Sequence, residues 1–379
     1  VSIDVECRLT STTDLEALRL RWVALRVLKP NRVLAQNILD ERGRILLAQG
    51  AVITPSLILK LQRLGIGSIC IEDPATADIN TRTFVQPSTR SLLLEATYQS
   101  LEELSSGAFS KTIRPPRIKE KLRPLLEDVI AQLQASDGAG EHLGTVYVSN
   151  GELYHHSVHV TFFALSIGLG LGLSEEQLLE LGLGTLLHDI GKLRIPDSIL
   201  RKPSRLTEDE FELVKLHTKY GYEILQRVTD LPTKSILVAL EHHERVDGSG
   251  YPYGLVDKQI DFYSRISGVA DVYEALTANR VYRKGYLPHQ AFELLLGACG
   301  TQFDLEVIHG FVKTISVYSV GMSLVLSTGH KAVVVHSPRK HTQRPVVRVI
   351  ENASGDSIFP PYEIDLSKEL TVQIVGCES

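Results

Sequence analysis

Between Ser149 and Ile315 the sequence repeatedly sets ionisable side chains where a helix would bury them. His188 and Asp189 follow directly on the apolar stretch LGLGTLL. Asp271 interrupts the apolar stripe of Ile266, Val269, Ala270, Tyr273 and Leu276, where an unpaired carboxylate would cost several kcal/mol. His217 follows Phe211 and Val214 at helical spacing, on a helix opened by the capping box of Thr207 and Glu210, so its ring is expected to face the core. His242 and His243 end a helix that Leu231 and Pro232 open and the glycines of DGSG terminate. Glu152 and His156, four apart at the start of another helix, share a face. One buried imidazole is commonly satisfied by a backbone carbonyl. Five imidazoles and two or three carboxylates on successive helices point instead to a metal cluster, because bundles build such sites from facing helices.

The donor set narrows the chemistry. Cys7, Cys70, Cys299 and Cys377 lie far apart without a CxxC pair, which argues against both a disulfide framework and a thiolate zinc site and fits a reducing compartment. Nitrogen and oxygen ligands alone suit Fe or Mn, with Zn ranked behind them, and a carboxylate such as Asp189 can bridge two ions. Two ions would polarise a phosphoryl oxygen and generate a nucleophilic hydroxide at neutral pH, which is phosphoester hydrolysis chemistry. A formal charge of -5 gives no global basic field for a nucleic-acid duplex or an anionic lipid surface. The apolar run Val160 to Leu173 is too short to span a bilayer and reads as a buried helix. No basic-then-apolar leader is seen, so a cytoplasmic location is expected.

With 379 residues, 43% of them hydrophobic, two or three compact units are expected. The boundaries of residues 1–22 are unclear. Residues 23–73 read as a small α/β domain: a strand-like RVLAQNIL, a turn at DERG, a strand-like RILLAQGAVI, and a helix opened by Thr54 and Pro55 and closed by Gly65, with SICIE as a further strand. No ligand candidate lies in that unit. Residues 74–148 read as a polar linker followed by connecting helices at Arg90 to Leu104 and Ile118 to Gln134, with a break at SSGAFSKTIRPP. Residues 149–315 form the catalytic domain, almost wholly helical, with a further capping box at Ser174 and Gln177. Residues 316–379 read as a β-rich extension with strands at SLVLS, AVVVHS, PVVRVIE and LTVQIV, broken at STGHK, SPRKHTQRP and ASGDSIFPP. The fold class is therefore mainly α, a helical bundle between two small extensions.

Taken together, His156-Ser157, HDIGK from His188 to Lys192, His217, HHERVDGSGYP from His242 to Pro252, ADVYEALT from Ala270 to Thr277 and RVYRK from Arg280 to Lys284 resemble the HD-GYP family of bacterial cyclic di-GMP phosphodiesterases. The resemblance covers roughly residues 149–315 and implies a helical HD-type metallohydrolase bundle. Carried over by position, it implies metal ligation by His156, His188, Asp189, His217, His242, His243 and Asp271, with Asp189 bridging two ions of iron or manganese. Glu152 takes the place of a residue that holds a third ion in some members. Lys192 resembles the lysine on the scissile phosphate, and Arg280 and Arg283 resemble positions facing the second phosphate and guanine. Gly250, Tyr251 and Pro252 form the loop near the substrate entrance, which also docks partner diguanylate cyclase domains. The chain departs from the family at His159, usually Arg, and at Glu274, often Asp; the first is expected to alter a contact beside a ligand and the second to weaken a hydrogen bond to a ligand or to bound water, and neither removes a ligand.

The resemblance thus implies hydrolysis of cyclic di-GMP to linear pGpG, and then to GMP, in second-messenger signalling, with a homodimer among the partners. The rival readings are a hydrolase of another cyclic dinucleotide or nucleotide, and a catalytically weak scaffold docking through the Gly250 to Pro252 loop.

Overall fold

The computed structural model describes residues 20–40, 42–64, 66–76, 78–79, 85–105, 117–135, 152–202, 204–228, 230–278, 285–337 and 343–377, the side chains of Leu20 and Glu152 excepted. In chain order the N-terminal elements are β1 (Leu20–Ala24), β2 (Arg32–Val33), β3 (Ile38–Leu39), β4 (Ile45–Leu47), β5 (Val52–Ile53), α1 (Pro55–Arg63) and β6 (Ser68–Glu72). β1 begins ahead of Val23 and pairs antiparallel with β6. The stretch RILLAQGAVI does not run as one strand: β4 pairs with β3, β5 pairs with β2, and Gly50, at φ +84°, turns the chain between them. Thr54 caps α1, its hydroxyl accepting from Leu57 N at 3.2 Å. Gly65, read as the end of that helix, lies outside the described residues.

The helices that follow are α2 (Pro87–Ser105), α3 (Ile118–Ala135), α4 (Glu152–Gly170), α5 (Glu175–Leu187), α6 (Asp197–Leu200), α7 (Glu208–Lys215), α8 (His217–Leu225), α9 (Thr233–Glu241), α10 (Phe262–Thr277), α11 (Pro288–Gly297) and α12 (Leu305–Thr314). α4 is apolar around its circumference, and Val158, Val160, Phe162, Phe163, Ala164, Leu165 and Ile167 are all buried. It takes the centre of the bundle, packed by α2, α3, α5, α10 and α12. Among the described residues no helix is long and apolar enough to cross a membrane. Both capping boxes form, with Thr207 N donating to Glu210 Oε2 at 2.7 Å and Ser174 N donating to Gln177 Oε1 at 2.9 Å. The break SSGAFSKTIRPP lies, beyond Ser105, outside the described residues.

The C-terminal strands β7 (Ser323–Leu326), β8 (Lys331–His336), β9 (Val346–Glu351), β10 (Ser357–Asp365) and β11 (Ile374–Cys377) form one antiparallel sheet in the order β10-β9-β8-β7-β11. β10 occupies the segment whose prolines read as a break. It is an edge strand with a register shift between Ser357 and Tyr362, so Pro360 and Pro361 remove no interior ladder bond. A single core runs from Leu93, Leu126, Leu165 and Phe311 in the bundle to Leu324 and Val347 in this sheet.

The N-terminal unit has its own core, with Leu34, Ile53, Leu61 and Ile69, and is fastened to the C-terminal sheet. Arg21, buried, donates to Asp73 Oδ2 at 2.9 Å and to Ser323 Oγ at 3.1 Å, and Trp22 N donates to Gly321 O. The stretch read as a linker is partly clamped down: Ile79 packs against Val333 and Ile350, and Arg348 pairs with Asp78.

Candidate metal centre

Five elements deliver the ligand candidates to one place. α4 brings His156, the end of α5 leads into His188 and Asp189, α8 begins at His217, and the residues that follow α9 are His242 and His243. α10 brings Asp271, which is buried together with His156, His188, Asp189, His217 and His242. Their ligand atoms fall into two groups: Asp189, His217, His242 and His243 in one, His156, His188 and Asp271 in the other, with the atoms of each group within 4.8 Å of one another.

Asp189 stands between the groups. Its Oδ2 lies 3.3 Å from His188 Nε2 and 3.5 Å from His156 Nε2, and its Oδ1 lies 3.4 Å from His217 Nε2 and 3.8 Å from His242 Nε2. Asp271 Oδ1 is 3.1 Å from His156 Nε2, and its Oδ2 is 3.8 Å from His243 Nδ1.

Hydrogen bonds on the far side of the rings fix which nitrogen faces inward. Nδ1 of His188, His217 and His242 donates to the carbonyls of Thr185, Val214 and Val238 at 2.7, 2.6 and 2.9 Å. Each Nε2 is thereby left as a lone-pair acceptor. His217 Nε2 and His242 Nε2 then face each other at 3.4 Å, and His188 Nε2 and Asp189 Oδ1 are buried without a hydrogen-bond partner. Acceptors converging on acceptors in a buried site are satisfied by a cation, so the residues present fit a metal. Burial holds His217 down to about 4 and His242 and His243 well below the usual imidazole range, which keeps these donors unprotonated. For Asp189, burial works toward a higher pKa, but His188, Lys192 and His217 outweigh it and hold the carboxyl far below its ordinary value. His188 is the exception among the rings: burial acts to lower its pKa, and the carboxylates of Asp189 and Asp271 raise it overall.

Close backbone approaches set this geometry. A Cβ on Gly191 would collide with the His217 carbonyl and with Gly221 N, so the turn after Asp189 seats directly on the start of α8. Gly250 is likewise pressed against the backbone of Glu244 and Arg245. Tyr251 stacks on His243, with centroids 4.8 Å apart and planes at 30°, and Phe211 meets the Tyr251 ring edge-on at 6.3 Å. Lys192 Nζ reaches Asp189 Oδ2 at 2.5 Å while its side chain stays 28% exposed.

A family profile for the HD domain matches residues 129–307, and one for a KOW domain associated with HD domains matches residues 324–379. A cyclic di-GMP phosphodiesterase of Pseudomonas aeruginosa is 35% identical over 255 residues, 67% of this chain and 61% of its own length. The chain is an HD-domain protein related to the HD-GYP cyclic di-GMP phosphodiesterases. A cyclic di-GMP phosphodiesterase response regulator of Xanthomonas campestris is 42% identical over 144 residues, 38% of each chain. A 3'3'-cGAMP-specific phosphodiesterase of Vibrio cholerae is 36% identical over 154 residues, 40% of this chain and 30% of its own length. The chain thus spans less than two thirds of the length of these HD-GYP relatives.

Of the residues expected from the sequence, the seven His and Asp candidates, Lys192 and Tyr251 meet in this centre, with Gly250 close against the His243 carbonyl and Pro252 next in the same loop. The side chain of Glu152, and Arg280 and Arg283, lie outside the described residues. Two local readings are corrected. His217 does not continue the helix of Phe211 and Val214: that helix stops at Lys215, His217 opens α8, and Phe211 is exposed. α9 stops at Glu241, ahead of the DGSG glycines, and His243 to Gly250 form a loop. Sequence reasoning also passed over Glu244, a buried carboxylate that accepts from Tyr253 N at 2.7 Å and Leu255 N at 2.9 Å and so anchors the loop carrying Tyr251. It sits in a loop without periodicity, and its place directly after two ligand candidates was the available signal.

Proposed function

We propose that this chain is a metal-dependent phosphodiesterase of cyclic dinucleotides, which opens the 3'-5' phosphodiester of cyclic di-GMP to give linear pGpG. The observation that carries this reading is Asp189, with one carboxylate oxygen toward each group of histidines. His156, His188 and Asp271 would hold one ion and His217, His242 and His243 the other, with Asp189 shared between them. The thiolate-free donor set suits iron or manganese. When bound, two such ions polarise the phosphoryl oxygens and make water a nucleophile at neutral pH. Glu152, one helical turn before His156, would serve a third ion.

The other residues orient the substrate and shield the site. Lys192, partly exposed beside Asp189, places its ammonium where charge grows on the phosphoryl oxygens and stabilises it. Tyr251 covers His243 and keeps bulk water from that side of the centre. Arg280 and Arg283 grip the second phosphate and the purine, as guanidinium forks suit phosphate.

The relatives named as cyclic di-GMP phosphodiesterases support the substrate, and the Vibrio cholerae relative supports a second reading, the same hydrolysis on 3'3'-cGAMP. The test is product analysis on protein reconstituted anaerobically with Fe or Mn, offered each dinucleotide separately. Faster release of pGpG from cyclic di-GMP is expected. Preference for 3'3'-cGAMP would transfer the assignment to that substrate, and no hydrolysis of either with ions bound would leave a docking scaffold.

A further inference from the structure

Five rings enter the metal centre; three are held by backbone carbonyls, His243 turns its Nδ1 toward Asp271 Oδ2 at 3.8 Å, and His156 is held by a distant carboxylate. Nδ1 of His188, of His217 and of His242 each donates to a carbonyl three or four residues earlier in the chain. Nδ1 of His156 instead lies 2.6 Å from Oε2 of Glu274, a buried side chain 118 residues away on α10. That same helix supplies Asp271, whose Oδ1 lies 3.1 Å from the opposite nitrogen of the same ring. Asp271 and Glu274 are three apart and share a helical face. α10 therefore clasps both nitrogens of His156, one by a candidate ligand and one by a residue that is not a ligand candidate. From α4, His159 Nδ1 lies 3.8 Å from the other oxygen of Glu274.

A carboxylate and a backbone carbonyl do not act alike on an imidazole. Both select the tautomer with a proton on Nδ1, but the anion also makes Nε2 a stronger donor to a metal. We infer that Glu274 is a positioning residue that fixes His156 as a ligand and makes the ion held by His156, His188 and Asp271 depend on it, while the ion held by His217, His242 and His243 does not. The change from the more usual Asp is then no weakening: the longer side chain reaches Nδ1 directly. The inference rests on the metal-centre reading and is independent of the substrate.

The test is titration of the metal-free full chain with Mn²⁺, counting bound ions by equilibrium dialysis and following the electron paramagnetic resonance spectrum, in wild type, Glu274→Gln and Glu274→Ala. The wild type is expected to bind two ions with a spin-coupled spectrum. Glu274→Ala should weaken one ion by roughly 10- to 100-fold and leave the other unchanged, giving an uncoupled spectrum at low Mn²⁺. Glu274→Gln keeps a carbonyl to accept from Nδ1 and loses the charge, so its loss should be the smaller one, again confined to one ion. Selective loss is the signature of positioning, since general damage to the fold would weaken both ions together. Wild-type affinity for both ions in Glu274→Gln and Glu274→Ala, or equal weakening of both, would overturn the role. Should Glu274→Ala fail to fold, the Gln variant decides alone by the same criterion. No substrate enters the titration, so failure of the phosphodiesterase reading would show separately, as a wild type that binds two ions and hydrolyses nothing.

Discussion

Nζ of Lys192 donates to Oδ2 of Asp189 at 2.5 Å, the same oxygen that faces His156 and His188. The lysine belongs to the 3-10 turn Ile190–Arg194, which starts where α5 ends, so the element that brings the central carboxylate into the site also brings an ammonium to its edge. An ammonium is no metal ligand, and its place is electrostatic.

Replacing Lys192 by Ala should therefore leave two ions bound and lower kcat by roughly 10² to 10³, the range for loss of a preorganised charge-stabilising donor. Steady-state kinetics and metal content on the same samples check it. Wild-type kcat in the variant would remove Lys192 from the transition state.

Gly191→Ala should disturb the centre without touching a ligand. The added methyl meets the His217 carbonyl and Gly221 N, both backbone, so the turn and α8 must part. A loss of about 1 to 3 kcal/mol in unfolding free energy is expected, together with weaker binding of the ion assigned to His217. A urea midpoint equal to the wild type would show that the contact relaxes freely.

Acid should destabilise the metal-free protein well above the carboxylate range. Burial lowers His155, which also hydrogen-bonds to the backbone of Asp40, and His217 to about 4 from an ordinary 6.5. With a folded-state pKa below the unfolded one, the unfolded chain binds more protons in between. Stability is complete above about 6.5 and falls as the pH drops toward 4, by up to about 1.4 kcal/mol per pH unit for each such ring. Urea titrations of chelator-treated protein at pH 7 and pH 5 measure it, and an unchanged midpoint would contradict the burial of these imidazoles.

Much of this was legible in the sequence because it depends on short-range patterns. The capping boxes at Ser174 and Thr207, the apolar circumference of α4 and the ionisable residues on core faces all show within one or two helical turns. The motifs that resemble the HD-GYP family pointed to the ligand residue types. What escaped depends on partners far apart in the chain. Glu274 stood out only as a departure from the family; that it meets His156, 118 residues away, shows nowhere local to either residue. Pro360 and Pro361 signal a break until the neighbouring strand shows that β10 lies at a sheet edge. The helix break at Leu216 carries neither Gly nor Pro; Gly191, distant in the chain, packs on the His217 carbonyl at that point. Ile79, in a polar stretch, is buried only because the C-terminal sheet covers it.

The central claim is that Asp189 joins two metal groups into one centre. Elemental analysis of Asp189→Ala beside wild type, both reconstituted anaerobically with Fe or Mn, tests it most directly. At least two ions per wild-type chain are expected, with both the assigned ions reduced together in the variant; an Asp189→Ala protein that keeps the wild-type number of ions would contradict it.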